Sequence, residues 1–193
     1  MQKAKELKLG NVAHELKTPL FTVQGYILTL IEGAAEEQEI REKYLDRANK
    51  GTERLVAIVK DLDMIAKLET DGLKMNLQPF NILELIQNVF DLFEMRAKKR
   101  NINGFTSVGI ESYNENKFII KITDNGEGVK QEHLSRLFER FYRVDQSRSR
   151  EQGGSGLGLS IVKHLIEAHN ETILLKSTFG EGSEFSFTLE KAK

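Results

Sequence analysis

The sequence predicts an α+β protein of two parts, a helical hairpin followed by a mixed domain of strands and helices. Apolar residues recur at steps of three and four through residues 1–70, which is the spacing of helices that pack on other helices. A turn-forming cluster follows, Glu69-Thr70-Asp71-Gly72, and beyond it short strand-like segments alternate with helical ones. We therefore place one domain at residues 1–70 and a second domain at residues 73–193.

The first domain is predicted to be an antiparallel pair of helices. Residues 33–39 break the apolar spacing between two long seams, and Pro19 is expected to bend the first helix. Two helices cannot enclose a core alone, so we expect a homodimer in which two copies pair as a four-helix bundle. The seam residues are Leu9, Val12, Leu16, Leu20, Val23, Ile27 and Leu30 in the first helix and Leu45, Ala48, Leu55, Ile58, Leu62, Ile65 and Leu68 in the second.

The second domain is predicted to mix strands and helices. Residues 73–80 alternate like a short strand, and Asn81 can cap a helix over residues 82–100. The inner face of that helix is predicted to consist of Ile86, Val89, Phe90 and Phe93. Further strands are predicted at residues 106–111, 118–123, 172–177 and 185–189, with a helix at residues 160–169.

The composition argues against several classes of function. The 28 Lys and Arg residues nearly balance the 29 Asp and Glu residues, so there is no basic field for nucleic acid. The chain has no cysteine, and its four histidines are dispersed, so we expect no metal-binding residues. No stretch approaches the roughly 18 apolar residues of a membrane span, so we expect no membrane contact by this chain.

The first predicted helix carries a candidate nucleophile. His14 is followed by Glu15, and Thr18 lies four residues on, on the same face as His14. A neutral imidazole is a nucleophile near neutral pH, and an adjacent carboxylate can take the displaced proton or fix the tautomer. An isolated His-Glu pair, however, is more often a solvated helix surface than a catalytic site.

Two glycine-rich segments are candidates for a nucleotide site. Asp124 follows a predicted strand, where a carboxylate can accept a hydrogen bond from an exocyclic amine, and the following Gly126 and Gly128 let backbone approach a ring. The run Gly154-Ser155-Gly156-Leu157-Gly158 opens into an apolar helix, whose first amides suit phosphate oxygens. Each segment alone is a weak signal, since the first could be a turn and the second is neither a Walker loop nor a Rossmann turn.

The order of these motifs is much more specific than any one of them. Residues 11–20 match the phosphoacceptor box of the HisKA family position by position. The segment Asp124-x-Gly-x-Gly, then residues 137–145, then Gly154-x-Gly-x-Gly resemble the D, F and G boxes of the GHKL ATPase domain. The chain thus resembles the cytoplasmic core of a bacterial two-component sensor histidine kinase, which implies an α/β-sandwich GHKL (Bergerat-type) ATP-binding domain after the hairpin.

The resemblance implies a role for each residue of the first motif. His14 would accept a phosphoryl group from ATP, Glu15 would handle the proton, and Thr18 would help to dephosphorylate the partner. That partner would be the receiver domain of a response regulator, one of whose aspartates receives the phosphoryl group. The chain would then be cytoplasmic, either by itself or as the cytoplasmic part of an inner-membrane sensor.

In the second motif set, the resemblance implies an ATP site that normally includes Mg²⁺. Asp124 would bind adenine, and Gly126 and Gly128 would shape the floor of the pocket. The polar residues 142–152 would form a mobile lid. The residues that would cradle the phosphates are Gly154, Gly156, Leu157 and Gly158.

The sequence departs from the family pattern near residues 101–105. The family carries a strand and a long helix before the D box, and an asparagine of that helix, the N box, holds magnesium. Here residues 101–105 lead straight into the strand predicted at residues 106–111. An average strand plus helix is about 17 residues, so a small register error cannot hide the segment. Either this segment has been deleted, or the sequence omits residues at this point.

Two other functions are consistent with parts of the pattern. A dimeric scaffold or pseudokinase would bind the regulator without using ATP, and the missing N box favours it. A GHKL ATPase that drives conformational work would leave the His14 motif unexplained. We therefore expect a histidine kinase that also acts as a phosphatase of its regulator, with the scaffold as the alternative.

Overall fold

The computed structural model of the 193-residue chain describes residues 2–70, 76–144 and 154–192, with side chains in the first range at residues 10 and 12–69. The described residues form two compact units. The first unit combines the N-terminal 70 residues with residues 138–161, and the second takes the remaining residues up to 137 and from 162 onwards. The domain boundaries predicted above follow chain order and stay a prediction.

The first unit is built on a helical hairpin, as predicted. Helix α1 (Gln2–Thr29) continues through Pro19 and passes into a π-helical turn at Leu30–Ala34. Gly33 in this turn has a φ of +119°, a conformation that residues with a side chain rarely adopt. Helix α2 (Gln38–Thr70) then returns along α1. The predicted break between the two seams is therefore confirmed at this glycine.

The two helices of the hairpin pack around a small apolar core. Ala48, Ile58 and Ile65 of α2 are buried, and Ile58 is fully enclosed. A Cβ added to Gly51 would lie 2.5 Å from Val23 Cγ2, so glycine lets the helices approach closely at this level. Other apolar side chains of the hairpin remain exposed, including Leu20, Phe21, Ile27, Leu28, Val56 and Val59. The side chain of Leu9, which the sequence placed in the first seam, lies outside the described residues.

Helix α3 (Ile82–Lys99) opens the second unit at the predicted position. The side chain of Asn81 caps it, since Oδ1 accepts hydrogen bonds from the amides of Leu83 and Glu84 at 3.0 and 3.4 Å. The strand predicted over residues 73–80 is wrong for residues 76–80, which are irregular, and residues 71–75 lie outside the described ranges. Apolar alternation over so short a run did not distinguish a strand from an extended entry to the helix cap.

The rest of the second unit is an antiparallel sheet in the strand order β1-β2-β4-β3. The strands are β1 (Thr106–Ser112), β2 (Lys117–Asp124), β3 (Ile173–Thr178) and β4 (Gly182–Glu190), which confirms the predicted strands. Ile120 of the central strand β2 is buried between its register partners on β1 and β4, Ile110 and Phe187. Two further helices are α4 (Gln131–Leu134) and α5 (Gly158–Ala168).

The connection between α3 and β1 is short. Helix α3 ends at Lys99 and β1 begins at Thr106, and the residues between them form a turn and an extended stretch. The strand and helix that the family carries at this point are thus absent from the fold of the second unit.

Among the residues that the structure describes, no helix combines the length and apolar content needed to cross a membrane.

An open apolar trough of about 1220 Å³ lies between α3, this connection and the sheet. The predicted inner face of α3 lines the trough, but the trough is open and no residue of α3 is buried. Phe93, for example, remains 53% exposed. Apolar surface of this extent is normally covered by another element of the fold. The strand and helix that are absent between α3 and β1 are the elements expected to cover it.

Candidate phosphoacceptor and nucleotide sites

The imidazole of His14 stands on the outer surface of α1. Its side chain is 72% exposed, and Glu15 Oε1 lies 3.9 Å from Nδ1 of the ring. That separation is beyond a hydrogen bond but within reach of a small rotation of either side chain. The carboxylate therefore faces one ring nitrogen and leaves Nε2 open to an incoming group.

Arg54 of α2 holds the other oxygen of the Glu15 carboxylate. Its Nη2 donates to Glu15 Oε2 at 3.3 Å, and the Arg54 side chain is only 13% exposed. Sequence reasoning missed Arg54, because it is 39 residues from Glu15 and no spacing rule joins them. Its position beside the apolar seam residue Leu55 was the only signal, and a charged residue next to a seam is common.

The hydroxyl of Thr18 is directed at the helix backbone. Its Oγ1 donates to the carbonyl oxygen of His14 at 3.2 Å, and Thr22 makes the equivalent bond to Thr18 at 2.8 Å. Such bonds to the carbonyl one turn earlier are common for threonine in helices. The lone pairs of the Thr18 oxygen remain able to accept from a water on the His14 face.

Asp124 ends β2 and lies at one end of the trough in the second unit. Its side chain is partly exposed, and Oδ1 accepts a hydrogen bond from the amide of Gly126 at 2.7 Å. This turn keeps one carboxylate oxygen engaged and leaves the other available to a ligand donor. Asn125 and Gly126 line the same part of the trough.

Close backbone packing requires a glycine at position 128, and no open space for a ligand lies beside its α-carbon. The φ of Gly128 is +65°, and an added Cβ would lie 2.0 Å from the carbonyl oxygen of Thr178. The loop after β2 therefore packs directly on the turn between β3 and β4. Any other residue would push the loop away from this turn.

The second glycine segment belongs to the first unit. Gly156 has a φ of +73°, and its carbonyl accepts a hydrogen bond from the amide of Phe141 at 2.9 Å. An added Cβ would meet nothing within 4 Å at Gly154 or at Gly158, which begins α5. Leu157 is fully buried, so only its backbone could face a ligand. The prediction that these residues cradle phosphates stays a prediction.

Within the first unit, two polar contacts join Ser155 of this glycine segment and Arg140, which precedes it in the chain, to α2. Ser155 donates from Oγ to Asp61 Oδ2 at 2.6 Å, and Arg140 Nη2 donates to Glu69 Oε1, also at 2.6 Å. The sequence did not predict either contact. Of the predicted lid, residues 145–152 lie outside the described ranges, so its placement is not described.

The described ranges contain no cluster of three histidine, cysteine or carboxylate side chains that could hold a metal ion. The family asparagine that would bind Mg²⁺ has no counterpart, since residues 100–105 form no helix. We therefore assign no residue of the described ranges to Mg²⁺.

Two family models match the chain in consecutive order. The model described as His Kinase A (phospho-acceptor) domain matches residues 4–71. The model described as Histidine kinase-, DNA gyrase B-, and HSP90-like ATPase matches residues 81–193. The chain belongs to this ATPase family, and its two domains in this order are those of the sensor histidine kinases, as the motifs predicted. It therefore carries a domain of an ATP-binding family.

Among curated proteins, the chain is similar to the sensor protein kinase WalK of Staphylococcus aureus. The two are 31% identical over 217 residues, which cover 94% of this chain and 52% of that protein. For the WalK of strain Newman the identity is the same and the coverage of that protein is 36%. The chain thus spans about half, or less, of the length of the relatives it matches.

Solved structures share the fold. The Acinetobacter baumannii histidine kinase AdeS has a TM-score of 0.70 and 23% identity, over 92% of this chain and 97% of that one. A histidine kinase ThkA, solved in complex with response regulator protein TrrA, also has a TM-score of 0.70, with 21% identity over 96% of this chain and 61% of that one. The described helical hairpin and α/β unit are therefore the known histidine kinase fold.

The alignment with WalK also shows how much is missing. It runs over 217 positions but includes only 94% of the 193 residues of the chain, about 181, which leaves a difference of about 36 positions. At least that many positions of WalK have no counterpart here. This agrees with the short connection between α3 and β1 and with the uncovered trough beside it.

We predict that Asp124→Asn weakens binding of an adenine nucleotide by about one to two decades. A hydrogen bond to a charged group contributes roughly 1.5 to 3 kcal/mol, and the substitution keeps the size of the side chain. Calorimetric titration of the full chain with ATP measures the change. Glu111→Gln is the matched control, because that carboxylate pairs with Lys121 at 2.7 Å on the sheet away from the trough. Equal affinity of wild type and Asp124→Asn would remove Asp124 from the site.

Proposed function

We propose that this chain is the catalytic core of a sensor histidine kinase. ATP binds the second domain, His14 takes the γ-phosphoryl group, and an aspartate of a response regulator receives it. The observation that carries the proposal is the pairing of an exposed His14 with the Glu15 carboxylate 3.9 Å from Nδ1, in a chain that matches both domains of such kinases. Neither domain match alone would assign the acceptor.

The geometry supports attack by Nε2. With the Nδ1 proton facing Glu15, the lone pair of Nε2 is free to attack the γ-phosphorus while the bond to the leaving ADP oxygen breaks. Glu15 then accepts the proton that Nδ1 loses, so the product is a neutral phosphoimidazole. In the transfer to the regulator, a carboxylate oxygen attacks the same phosphorus, the N–P bond breaks and the ring regains a proton.

The proposed partner is the receiver domain of a response regulator. The ThkA structure includes a response regulator protein, and its kinase shares this fold. His14 is exposed enough for an incoming domain to reach it, and Thr18 lies one turn away on the same face. We place the chain in the cytoplasm, where such regulators act.

A second candidate is a dimeric scaffold that binds the regulator without using ATP. The uncovered trough and the positions of WalK that have no counterpart here favour it. Mg²⁺ would accompany ATP in the kinase, and we assign it no residue of this chain. Titration of the full chain with ATP and Mg²⁺ separates the two, because the scaffold would show no affinity.

We predict that the full chain incubated with γ-labelled ATP acquires an acid-labile label that His14→Gln abolishes. The reason is that a phosphoimidazole hydrolyses in acid, whereas phosphoserine and phosphothreonine do not. Autoradiography after acid treatment measures it. The control His164→Gln alters another partly exposed imidazole and should keep the label. A label that persists in His14→Gln would overturn the assignment of the acceptor.

We predict that Thr18→Ala slows dephosphorylation of the regulator by about ten-fold or more, while phosphorylation of His14 changes little. A hydroxyl that orients water acts only on the hydrolytic reaction. The decay of purified phosphoregulator is measured beside phosphorylation of the same preparation. Thr22→Ala is the matched control, since Thr22 makes the same helix bond one turn later. Equal loss of both activities in Thr18→Ala would show that Thr18 serves the helix alone.

We predict that the chain is a homodimer and that Val59→Glu makes it monomeric. Val59 is 56% exposed on the hairpin beside further exposed apolar side chains, and a buried charge would oppose their pairing. Light scattering at tens of micromolar gives the mass. Lys60→Glu, at the next and exposed position, should leave the dimer intact. A monomeric wild-type chain would contradict the four-helix bundle.

A further inference from the structure

The guanidinium of Arg54 and the imidazole of His14 are connected through a single carboxylate. Glu15 Oε2 accepts from Arg54 Nη2 at 3.3 Å, and Glu15 Oε1 is the oxygen that lies 3.9 Å from His14 Nδ1. The three residues come from two helices, with Arg54 on α2 and the other two on α1. The orientation of the carboxylate towards the ring is thus set from the opposite helix.

We propose that Arg54 is a positioning residue for phosphoryl acceptance at His14. It holds the Glu15 carboxylate so that Oε1 stays beside Nδ1, which favours the tautomer with its proton on Nδ1 and the lone pair on Nε2. The inference rests on the proposed function of His14 as phosphoacceptor. It adds the residue that keeps the acceptor in its nucleophilic form.

The environment of Arg54 explains why the carboxylate would stay in place. The Arg54 side chain is 13% exposed, and its Nε is buried with no hydrogen-bond partner in the described structure. If Glu15 rotated away, a cation that is already poorly solvated would lose its acceptor, which is costly in a protein interior. An exposed glutamate without such a partner would sample several rotamers, most of them away from the ring.

The placement also separates this pair from an ordinary structural ion pair. Glu15 is itself 24% exposed and adjoins an imidazole that is 72% exposed, so the carboxylate lies at the boundary between a buried cation and solvent. A pair serving the fold alone would not need its second oxygen directed at a solvent-facing ring. The contact from Arg54 on α2 instead restricts the rotation of the Glu15 side chain on the surface of α1.

The test uses phosphoramidate, a chemical donor that needs no ATP-binding domain. Nε2 of His14 attacks its phosphorus, an N–P bond forms, ammonia leaves with the electrons of the broken P–N bond, and Glu15 takes the Nδ1 proton. We expect Arg54→Met to slow labelling of His14 in the full chain by about ten-fold. Glu15 is still present in this variant but less well positioned, so only part of the rate gain from a positioned proton acceptor is lost. Arg54→Lys should recover part of the rate, since it keeps the charge but not the fork.

Two further measurements distinguish positioning from a loss of fold. Nitrogen NMR of the imidazole should show less of the Nδ1-protonated tautomer of His14 in Arg54→Met than in wild type. Arg47→Met is the matched control, because Arg47 also lies on α2 and contacts α1, with its guanidinium 5.8 Å from the Tyr26 ring centroid. It should change neither the rate nor the tautomer.

A double-mutant cycle completes the test. If Arg54 acts through Glu15, then Arg54→Met should have no further effect on the labelling rate in a Glu15→Gln background. An equal effect in both backgrounds, or a wild-type rate and tautomer in Arg54→Met, would overturn the proposal. Absence of a His14-dependent label from γ-labelled ATP in the wild-type chain would instead contradict the proposed function, so the two failures are distinguishable.

Discussion

The close approach of α1 and α2 at Gly51 is the constraint on which the arrangement of His14, Glu15 and Arg54 depends. A side chain at Gly51 would collide with Val23 and would lie 3.8 Å from the carbonyl oxygen of Pro19. In an antiparallel pair, moving one turn along α2 from Gly51 reaches Arg54, and moving one turn back along α1 from Pro19 reaches Glu15. The spacing set by a glycine therefore brings a guanidinium within 3.3 Å of the carboxylate beside the acceptor.

The second unit lacks the strand and helix that the family carries between α3 and β1. A connection from Arg100 to Phe105 joins α3 to β1 directly, and the apolar face of α3 is left without a covering element. The same trough reaches Asp124, so the missing segment bears on the proposed nucleotide site as well as on the covering of the sheet.

The glycines that the sequence grouped as one nucleotide site serve different physical needs. Gly128 allows two backbone segments to pack, Gly156 supplies a left-handed turn beside Phe141, and Gly154 has no neighbours that would exclude a side chain. Motif order predicted where glycines would occur, but it could not distinguish packing from an open surface. That distinction depends on which distant carbonyl lies opposite each α-carbon, as Thr178 does at Gly128.

By itself the sequence determined the hairpin helices, α3, α5, the four strands of the sheet, the cap at Asn81 and the identity of the histidine kinase motifs, because these follow from local periodicity and from residue order. Only the tertiary structure decided that residues 138–144 and 154–161 group with the hairpin and that Arg54 holds Glu15. The physical reason is the same in both cases. These features depend on pairs of residues far apart in the chain, whose meeting is set by the packing of whole elements.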